Sequence, residues 1–265
     1  MKPLEQLAPS QAATIHTLLT DIDDTITTDG RLRADAYSAL EAVHHAGLRV
    51  VVTTGRPAGW CDHIARMWPV DAVVGENGAF YCWYDRKQRK LNTQHSLTPE
   101  ELVQNRSRIQ AVADQVLREV AGSALASDQF CRLYDLAIDF CEDVTPLDRA
   151  AVANIVQIMQ ASGMTAKVSS IHVNGWFGQN DKLSMATRLM QELYGIDLDV
   201  ERARIAYIGD SPNDAPMFAH FPCAVGVANV FDFVGQIESL PQYVTTGRSG
   251  AGFMELAALL TRDRN

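Results

Sequence analysis

Apolar and polar residues follow two periods in the outer thirds of the chain. Short apolar runs predict strands at residues 15–20, 48–53, 70–74, 204–208 and 223–227. Helical spacing of apolar residues predicts helices at residues 32–45, 57–67, 182–194, 215–219 and 252–261. In the first helix, Tyr37, Leu40 and Val43 share one face, and Gly47 follows as a stop signal. Strands that alternate with helices indicate an α/β fold whose parallel sheet has helices on both faces.

The middle of the chain follows another pattern. Thr98 and Glu101 form a capping box at the start of a predicted helix, and a second helix is predicted to begin at Thr145. Residues 134–140 alternate apolar and polar side chains, as a half-buried strand does. Residues 168–176 predict a last strand of the same kind. The middle of the chain is therefore predicted to be α+β.

This change of pattern divides the chain. Residues 1–84 and 181–265 are predicted to form the α/β domain, and residues 85–180 an α+β insert. A chain of 265 residues that is 47% hydrophobic can bury a core in both parts. It contains no uncharged apolar stretch of about 18 residues or more, and its N-terminus lacks the apolar segment of a signal peptide. We therefore expect no membrane partner.

Charge and cysteine usage narrow the partners further. The formal net charge of −9 disfavours nucleic acid and anionic membranes. An anionic substrate would therefore need local help from a metal ion or from a few placed cations. The five cysteines have spacings that match neither a metal site nor a disulfide pattern, which favours reduced thiols and a cytoplasmic location.

Acidic residues follow the first predicted strand. Asp21, Asp23 and Asp24 stand directly after it, and carboxylates this close repel one another unless a cation neutralises them. Ligands of parallel α/β sheets bind beyond the carboxyl ends of the strands. Mg²⁺ prefers oxygen ligands and suits a site that also holds a phosphate. A solvated turn with an Asp N-cap is the alternative reading of this motif.

A second acidic cluster follows the strand predicted at residues 204–208. Asp210, Asn213 and Asp214 come after Gly209 there, and a shared metal site needs acids from two strand ends. Because Gly, Ser, Pro, Asn and Asp are also the common turn residues, an ordinary turn is the alternative.

Two further motifs could hold an anion. Thr54, Gly55 and Arg56 lie between a strand and a helix, where a hydroxyl and backbone N–H groups can bind phosphate oxygens. Lys182 stands at a helix start, where the helix dipole favours an acid, so it either binds an anion or extends into solvent. For the first motif, an ordinary helix N-cap is the alternative.

Taken in order, the four motifs resemble those of the haloacid dehalogenase (HAD) superfamily. A DxDxT motif at Asp21, a Thr at position 54, a Lys at position 182 and a GDxxND motif at Asp210 all match. The TGR form of the second motif, the ENGA segment at residues 76–79 and the NDAPMF ending resemble subfamily IIB. That subfamily includes Cof-type sugar phosphatases, sucrose-phosphate phosphatase and mannosyl-phosphoglycerate phosphatase. Asp24 and the Ser-Pro pair of the last motif depart from many relatives, but neither departure removes a catalytic group.

The resemblance implies a fold, a reaction and a set of residues. The fold is α/β, with a Rossmann-like doubly wound parallel sheet as core and an inserted α+β cap. The reaction is Mg²⁺-dependent hydrolysis of a phosphate monoester, of a sugar or another small metabolite, through an aspartyl-phosphate. The implied catalytic residues are Asp21 as nucleophile, Asp23 as general acid and base, and Thr54 and Lys182 as phosphoryl-binding groups. The implied metal site consists of Asp21, Asp23 through its carbonyl, Asp210, Asn213 and Asp214. The implied substrate contacts of the core are Thr54, Gly55, Arg56, Asn77 and Lys182.

Specificity is expected to come from the insert. On the strand before Lys182, the side chains of His172, Asn174 and Trp176 share one face, opposite Ile171 and Val173. His172 and Asn174 are therefore candidate contacts for the leaving group, and a solvated sheet face is the alternative. A sugar phosphomutase, a metal-independent dehalogenase and a non-catalytic phosphometabolite sensor are the competing functions.

Overall fold

The computed structural model describes residues 1–169, 171–262 and 264. Its strands are β1 (Lys2–Pro3), β2 (Thr17–Thr20), β3 (Arg49–Thr53), β4 (Ala72–Gly75), β5 (Phe80–Asp85), β6 (Lys90–His95), β7 (Ala124–Leu125), β8 (Asp135–Asp139), β9 (Thr165–Val168), β10 (His172–Trp176), β11 (Ile205–Gly209), β12 (Cys223–Gly226) and β13 (Tyr243–Val244). Its α-helices are α1 (Pro9–Thr14), α2 (Ala34–His45), α3 (Ala58–Met67), α4 (Pro99–Glu119), α5 (Arg149–Ala161), α6 (Lys182–Tyr194), α7 (Leu198–Glu201), α8 (Ala215–His220) and α9 (Ser249–Thr261). Short 3₁₀ turns lie at Leu4–Gln6, Glu76–Gly78, Gln129–Cys131, Arg202–Arg204, Pro212–Asp214 and Ala228–Phe233.

The larger sheet has nine strands. In spatial order β1, β13, β12, β11, β2, β3 and β4 run parallel, and the antiparallel hairpin β5–β6 continues the sheet. Leu18 and Val50 belong to the core cluster on the side of α2 and α9, whereas Leu19 and Val51 belong to the cluster on the side of α6. Both faces are therefore buried, as parallel sheets require. This confirms the predicted α/β fold with a doubly wound, Rossmann-like sheet.

The smaller sheet is antiparallel, in the order β7-β8-β10-β9. Apolar side chains of α4 and α5, such as Val116 and Ile155, pack against Leu136, Ile138 and Val173 on one face of it. The other face is polar and is turned towards the larger sheet. This face explains why β8 is completely buried although the sequence predicted a half-buried strand.

Two predicted elements of the middle region were wrong in detail. The strand predicted at 168–176 is a hairpin of β9 and β10, because the Ser169 hydroxyl accepts the His172 N–H and turns the chain; residue 170 lies outside the described residues. The helix predicted from Thr145 begins at Arg149, where the Asp148 side chain caps the Ala151 N–H. The helix start predicted at Thr98 is confirmed, with both hydrogen bonds of its capping box.

The division of the chain at residues 85 and 180 stays a prediction. The strand pairing shows that β6, which lies beyond residue 85, belongs to the nine-stranded sheet. The chain enters the four-stranded part only after His95 and returns at Lys182, the first residue of α6. Within the described residues, no helix is long and apolar enough to cross a membrane.

Candidate active site

The sequence motifs meet at one edge of the nine-stranded sheet. Asp21 follows β2, Thr54 follows β3 and Asp210 follows β11, and these three strands are neighbours in the sheet. Parallel strands end at the same edge of a sheet. The residues that directly follow these three strands are therefore brought together by the strand order alone. The Asp21 N–H donates to the carbonyl of Ile208 on β11, which fixes the first motif beside the last.

Lys182 connects the first motif, at Asp21, to the last motif. Its Nζ lies 3.1 Å from Oδ1 of Asp21 and 2.7 Å from Oδ1 of Asp214, and all three side chains are buried. Burial disfavours the ammonium charge, but the two carboxylates together raise the pKa of Lys182 above its usual value. Burial raises the pKa of Asp21 to about 7, against the opposing effect of Lys182. A cation deep in the site is thus held by two acids.

Asp214 is the most heavily bonded of these acids. Its Oδ1 accepts from Lys182 and, at 2.5 Å, from the Tyr207 hydroxyl. Its Oδ2 accepts from the backbone N–H groups of Asp210 at 2.9 Å and Ser211 at 3.1 Å. A side chain at Gly209 would collide with this carboxylate, so only glycine lets the loop fold back onto it. Four donors fix the Asp214 side chain as the brace of the loop.

The carboxylate of Asp210 accepts fewer hydrogen bonds than that of Asp214. The Asp210 side chain is 1% exposed and its Oδ1 accepts the Thr25 hydroxyl at 3.4 Å, whereas its Oδ2 has no hydrogen-bond partner within the described residues. Burial first, and then the neighbouring carboxylates of Asp214 and Asp21, raise the pKa of Asp210 well above its usual value. Ligand oxygens of these three aspartates lie within 4.8 Å of one another. A buried acid group with an unpartnered oxygen has the donor chemistry that a divalent cation requires.

Arg56 holds the second acid of the first motif. Its guanidinium donates from Nε and Nη2 to the Asp23 carboxylate at 2.9–3.1 Å and from Nη2 to Glu142 at 3.0 Å. Oε2 of Glu142 in turn lies 2.9 Å from Nε2 of His172. The contacts with His172 first, and with Arg56, lower the pKa of Glu142 to about 2. This chain of four side chains joins the nine-stranded part to the polar face of the smaller sheet.

A small cavity of about 20 Å³ lies between the two parts. Residues predicted as site residues that line it are Asp21, Asp23, Gly55, Arg56, His172, Asn174 and Asn213. Ser169, Ile171, Ser211 and Arg132 complete the lining, and the sequence analysis identified none of these four. The space holds about one water molecule. The structure therefore represents a closed arrangement of the two parts.

The polar face of the smaller sheet is itself hydrogen-bonded. Nδ2 of Asn174 donates to Asp135 at 3.0 Å, and Asp135 also accepts from the buried guanidinium of Arg132. Arg132 pairs with Asp128 as well and donates to the carbonyl of Gly55 at 2.9 Å, which is another contact across the cavity. Asn174 is thus oriented by Asp135 before any ligand binds.

Other predicted residues lie just outside the cavity. Thr54 is completely buried, and its hydroxyl accepts from the Arg56 N–H. Oδ1 of Asn77 accepts from Nδ2 of Asn213 at 3.2 Å, which joins the ENGA segment to the last motif. Trp176 shares the face of Asn174 but donates its Nε1–H to the carbonyl of Asn180. The phosphoryl-binding role of Thr54 and the substrate contact of Asn77 stay predictions.

The Glu76 side chain also connects the two parts of the protein. Its buried carboxylate accepts from the backbone N–H groups of Leu133, Tyr134 and Asp135 at 2.6–3.1 Å, and from that of Ala58. These bonds hold the start of β8 against the start of α3. The sequence showed Glu76 only as part of the ENGA segment, since its partners are backbone groups far along the chain.

Comparisons with known proteins agree with this geometry. Residues 18–112 match the family described as haloacid dehalogenase-like hydrolase. A phosphoglycolate phosphatase of Pyrobaculum islandicum is 27% identical over 247 residues, 92% of this chain and 94% of that protein. Over residues 18–112 the chain is similar to the haloacid dehalogenase-like hydrolases.

Two solved structures share the fold over nearly the whole chain. The structure of Thermoplasma acidophilum 0175 matches with a TM-score of 0.69 and 18% identity, over 93% of this chain and 98% of that one. The C-terminal domain of C. albicans trehalose-6-phosphate phosphatase matches with a TM-score of 0.70 and 11% identity, over 99% and 98%. At these identities the likeness concerns the fold. Both the larger and the smaller sheet are thus covered by the match.

Proposed function

We propose that this protein is a HAD-like phosphatase that hydrolyses phosphate monoesters of small metabolites through an aspartyl-phosphate on Asp21. The observation that carries the proposal is the buried contact of Lys182 with Asp21, beside the unpartnered carboxylate oxygen of Asp210. Phosphoryl transfer through an aspartyl-phosphate requires a carboxylate, a fixed cation and acidic groups that can bind a metal ion, all close together. The phosphatase relative from Pyrobaculum islandicum supports this reaction class.

Asp21 would act as the nucleophile. A carboxylate oxygen of Asp21 forms a bond to phosphorus while the bond to the leaving oxygen breaks, and water later cleaves the aspartyl-phosphate to release phosphate. Lys182 would neutralise the phosphoryl oxygens, where charge collects in the transition state. Its ammonium is already desolvated and held by Asp214, so little reorganisation is needed when the substrate arrives.

Asp23 would transfer the proton. As general acid it protonates the leaving alcohol, and as general base it takes a proton from the attacking water. The Arg56 guanidinium donates to both carboxylate oxygens of Asp23. Substrate binding would therefore have to loosen this pair before the first proton transfer, and Glu142 offers Arg56 a second partner.

Mg²⁺ fits the acid group of the site. Asp21 and Asp210 would hold it with their carboxylates and Asp23 with its backbone carbonyl, and Asn213 would support the loop. The four donors on Asp214 support a role in orienting Lys182 and the loop, with contact to the ion through water. When bound, the ion would reduce the repulsion between the nucleophile and the phosphate.

The substrate is proposed to be a sugar phosphate or a similarly small polar phosphate monoester. The leaving group would meet His172 and Asn174 on the polar face of the smaller sheet, which acts as a specificity cap. An imidazole and an amide can both bind hydroxyl groups. The small volume of the closed cavity implies that the two parts separate to admit substrate.

The test is phosphate release by the purified full-length protein, measured with a panel of phosphorylated sugars and related metabolites in the presence of Mg²⁺. Activity should vanish with EDTA and return when Mg²⁺ is added in excess. Asp21→Asn keeps the shape of the side chain but removes the nucleophile, so turnover should fall by several orders of magnitude. Near-normal turnover by this variant, or by the metal-stripped enzyme, would refute the proposal.

A further inference from the structure

A second cavity lies on the other side of Asn213 from the catalytic pocket. It has a volume of about 160 Å³, which corresponds to roughly five water molecules. Its walls come from both parts of the protein: Asn77, Lys182 and Asn213 from the larger one, and Lys167 and Trp176 from the smaller one. No step of the proposed reaction uses this space.

Two buried amide groups of this cavity have unused donors. Nδ2 of Asn77 has no hydrogen-bond partner among the residues that the structure describes, although Asn77 is only 3% exposed. The orientation of this amide is fixed, because its Oδ1 accepts from Asn213. Nδ2 of Asn180 is a second buried nitrogen without a hydrogen-bond partner in the described part of the chain. A buried donor without an acceptor is unfavourable, so both groups favour a ligand that accepts hydrogen bonds.

The charges around the cavity favour an anion. Lys167 forms no ion pair among the residues at 1–169, 171–262 and 264. It stands opposite Asn174 in the pairing of β9 with β10, so it lies on the polar face of the sheet. The one acid of the lining, Asp181, accepts the Ser184 N–H as the cap of α6. The carboxylate of Asp181 is thus already engaged with a helix N-terminus.

We propose that this cavity is an oxyanion-binding site, with Lys167 supplying the charge and Asn77 and Asn180 the hydrogen bonds. The ligand is a phosphate or a carboxylate. It is either a free oxyanion or the second anionic group of a substrate whose phosphoryl group lies at Asp21. The position of Asn213, which lines both cavities, makes either source reachable from the catalytic pocket.

The first experiment measures binding alone. The full-length protein, labelled with ¹⁵N and kept in EDTA, is titrated with inorganic phosphate while the indole N–H signals are recorded by NMR. Trp176→Phe assigns the signal of the tryptophan in the cavity. The signal of Trp176 should move saturably, and Lys167→Ala should weaken the binding at least about tenfold, which is a loss of about 1.4 kcal/mol. The matched control is Lys90→Ala on β6, which should bind phosphate as the wild type does.

The binding experiment can overturn the proposal directly. If phosphate leaves the Trp176 signal unchanged, or if the Lys167→Ala and Lys90→Ala variants bind it equally well, the cavity is not an oxyanion site. Asn180→Ala serves as an independent variant and should also weaken binding. Because no turnover is measured, this result does not depend on the proposed phosphatase activity.

The second experiment distinguishes the two sources of the anion, and it rests on the proposed function. KM is compared for phosphoglycolate, which carries a carboxylate, and for 2-hydroxyethyl phosphate, which has a neutral hydroxyl instead. If the cavity binds the second anionic group of the substrate, Lys167→Ala should raise the KM for phosphoglycolate at least about tenfold. The KM for 2-hydroxyethyl phosphate should then stay as in the wild type. If the ligand is a free oxyanion, both KM values should stay as in the wild type while phosphate binding is lost.

Discussion

The loop Gly209–Asp214 and the polar face of the smaller sheet border the same cavity, but their polar atoms are arranged differently. In the loop, Asp214 is saturated by four donors that come from the backbone, Tyr207 and Lys182. On the sheet face, His172 and Asn174 each depend on one acid, Glu142 and Asp135 respectively. A saturated brace positions a fixed catalytic group, whereas single contacts can be exchanged for contacts with a ligand.

Breaking the brace should have the largest effect. In Asp214→Asn, the amide N–H₂ group faces hydrogen-bond donors that the carboxylate had accepted from. Lys182 then keeps Asp21 as its remaining charge partner. Loss of one partner of a buried pair costs about 3–5 kcal/mol. We therefore expect a decrease of the melting temperature on the order of 10 °C, together with a large loss of turnover. Calorimetry measures the first and a phosphate-release assay the second.

The control for this variant is Asp232→Asn, which removes one partner of the exposed pair between Arg248 and Asp232. An exposed pair contributes about 1 kcal/mol or less, so the melting temperature should hardly change. Equal losses in the two variants would contradict the role of Asp214 as a brace.

The next largest effect is expected for Asp23, the proposed general acid and base. Asp23→Asn should reduce kcat by roughly 10²–10⁴, the usual range for lost proton transfer. The loss in phosphoenzyme formation should be smaller for p-nitrophenyl phosphate than for an alkyl phosphate, because nitrophenolate leaves without protonation. Rapid-quench measurements of both substrates test this. Equal losses for both would speak against proton transfer by Asp23.

The sheet face should affect specificity and leave the chemistry of the core intact. His172→Ala and Asn174→Ala should each reduce kcat/KM for the best natural substrate at least about tenfold, or about 1.4 kcal/mol. p-Nitrophenyl phosphate should be hydrolysed nearly as before, because it has no polyol for these side chains to bind. Equal losses on both substrates would instead point to damage of the phosphoryl site.

Some parts of this comparison could be predicted from the sequence. Asp21, Thr54 and Asp210 were identified because each directly follows a buried strand, and parallel strands bring their ends together. The shared face of His172 and Asn174 was identified from the two-residue period of a strand, and both side chains line the cavity. These predictions need only local patterns.

Other parts could not be predicted, for a physical reason. The partners of Lys182 and Glu76 are set by the way in which distant segments fold against each other. Arg132 and Glu142 follow no local pattern, since one precedes β8 and the other follows it in irregular segments. Their roles depend on the docking of the smaller sheet, which places one against Gly55 and the other against Arg56.

The smallest expected effect concerns pH. The pKa of Glu142 in the folded protein, about 2, lies below its ordinary value of 4.5, so its contacts stabilise the fold above pH 4.5. This contribution should be lost as the pH falls from 4.5 towards 2. Because the Glu142 side chain is partly exposed, we expect at most about 1 kcal/mol.

Thermal melts of the wild type and Glu142→Gln at several pH values test this. The wild type should be the more stable protein at pH 6, and the difference should shrink on acidification. Glu119→Gln, at an exposed pair with Arg118, should show no such trend. A difference in melting temperature that stays constant from pH 6 to pH 3 would contradict the assignment.

The contact of Glu76 with the smaller sheet has a consequence for how the enzyme can diverge. Its carboxylate recognises three consecutive backbone N–H groups, at Leu133, Tyr134 and Asp135, and does not read their side chains. Mutations at these positions can therefore change side chains behind the cavity, such as Asp135, which orients Asn174, while the joint between the two parts persists. Proline is the exception, because it has no N–H to donate. Because Glu76 binds main-chain groups, the contact between the two parts can persist while the side chains at these positions change during evolution.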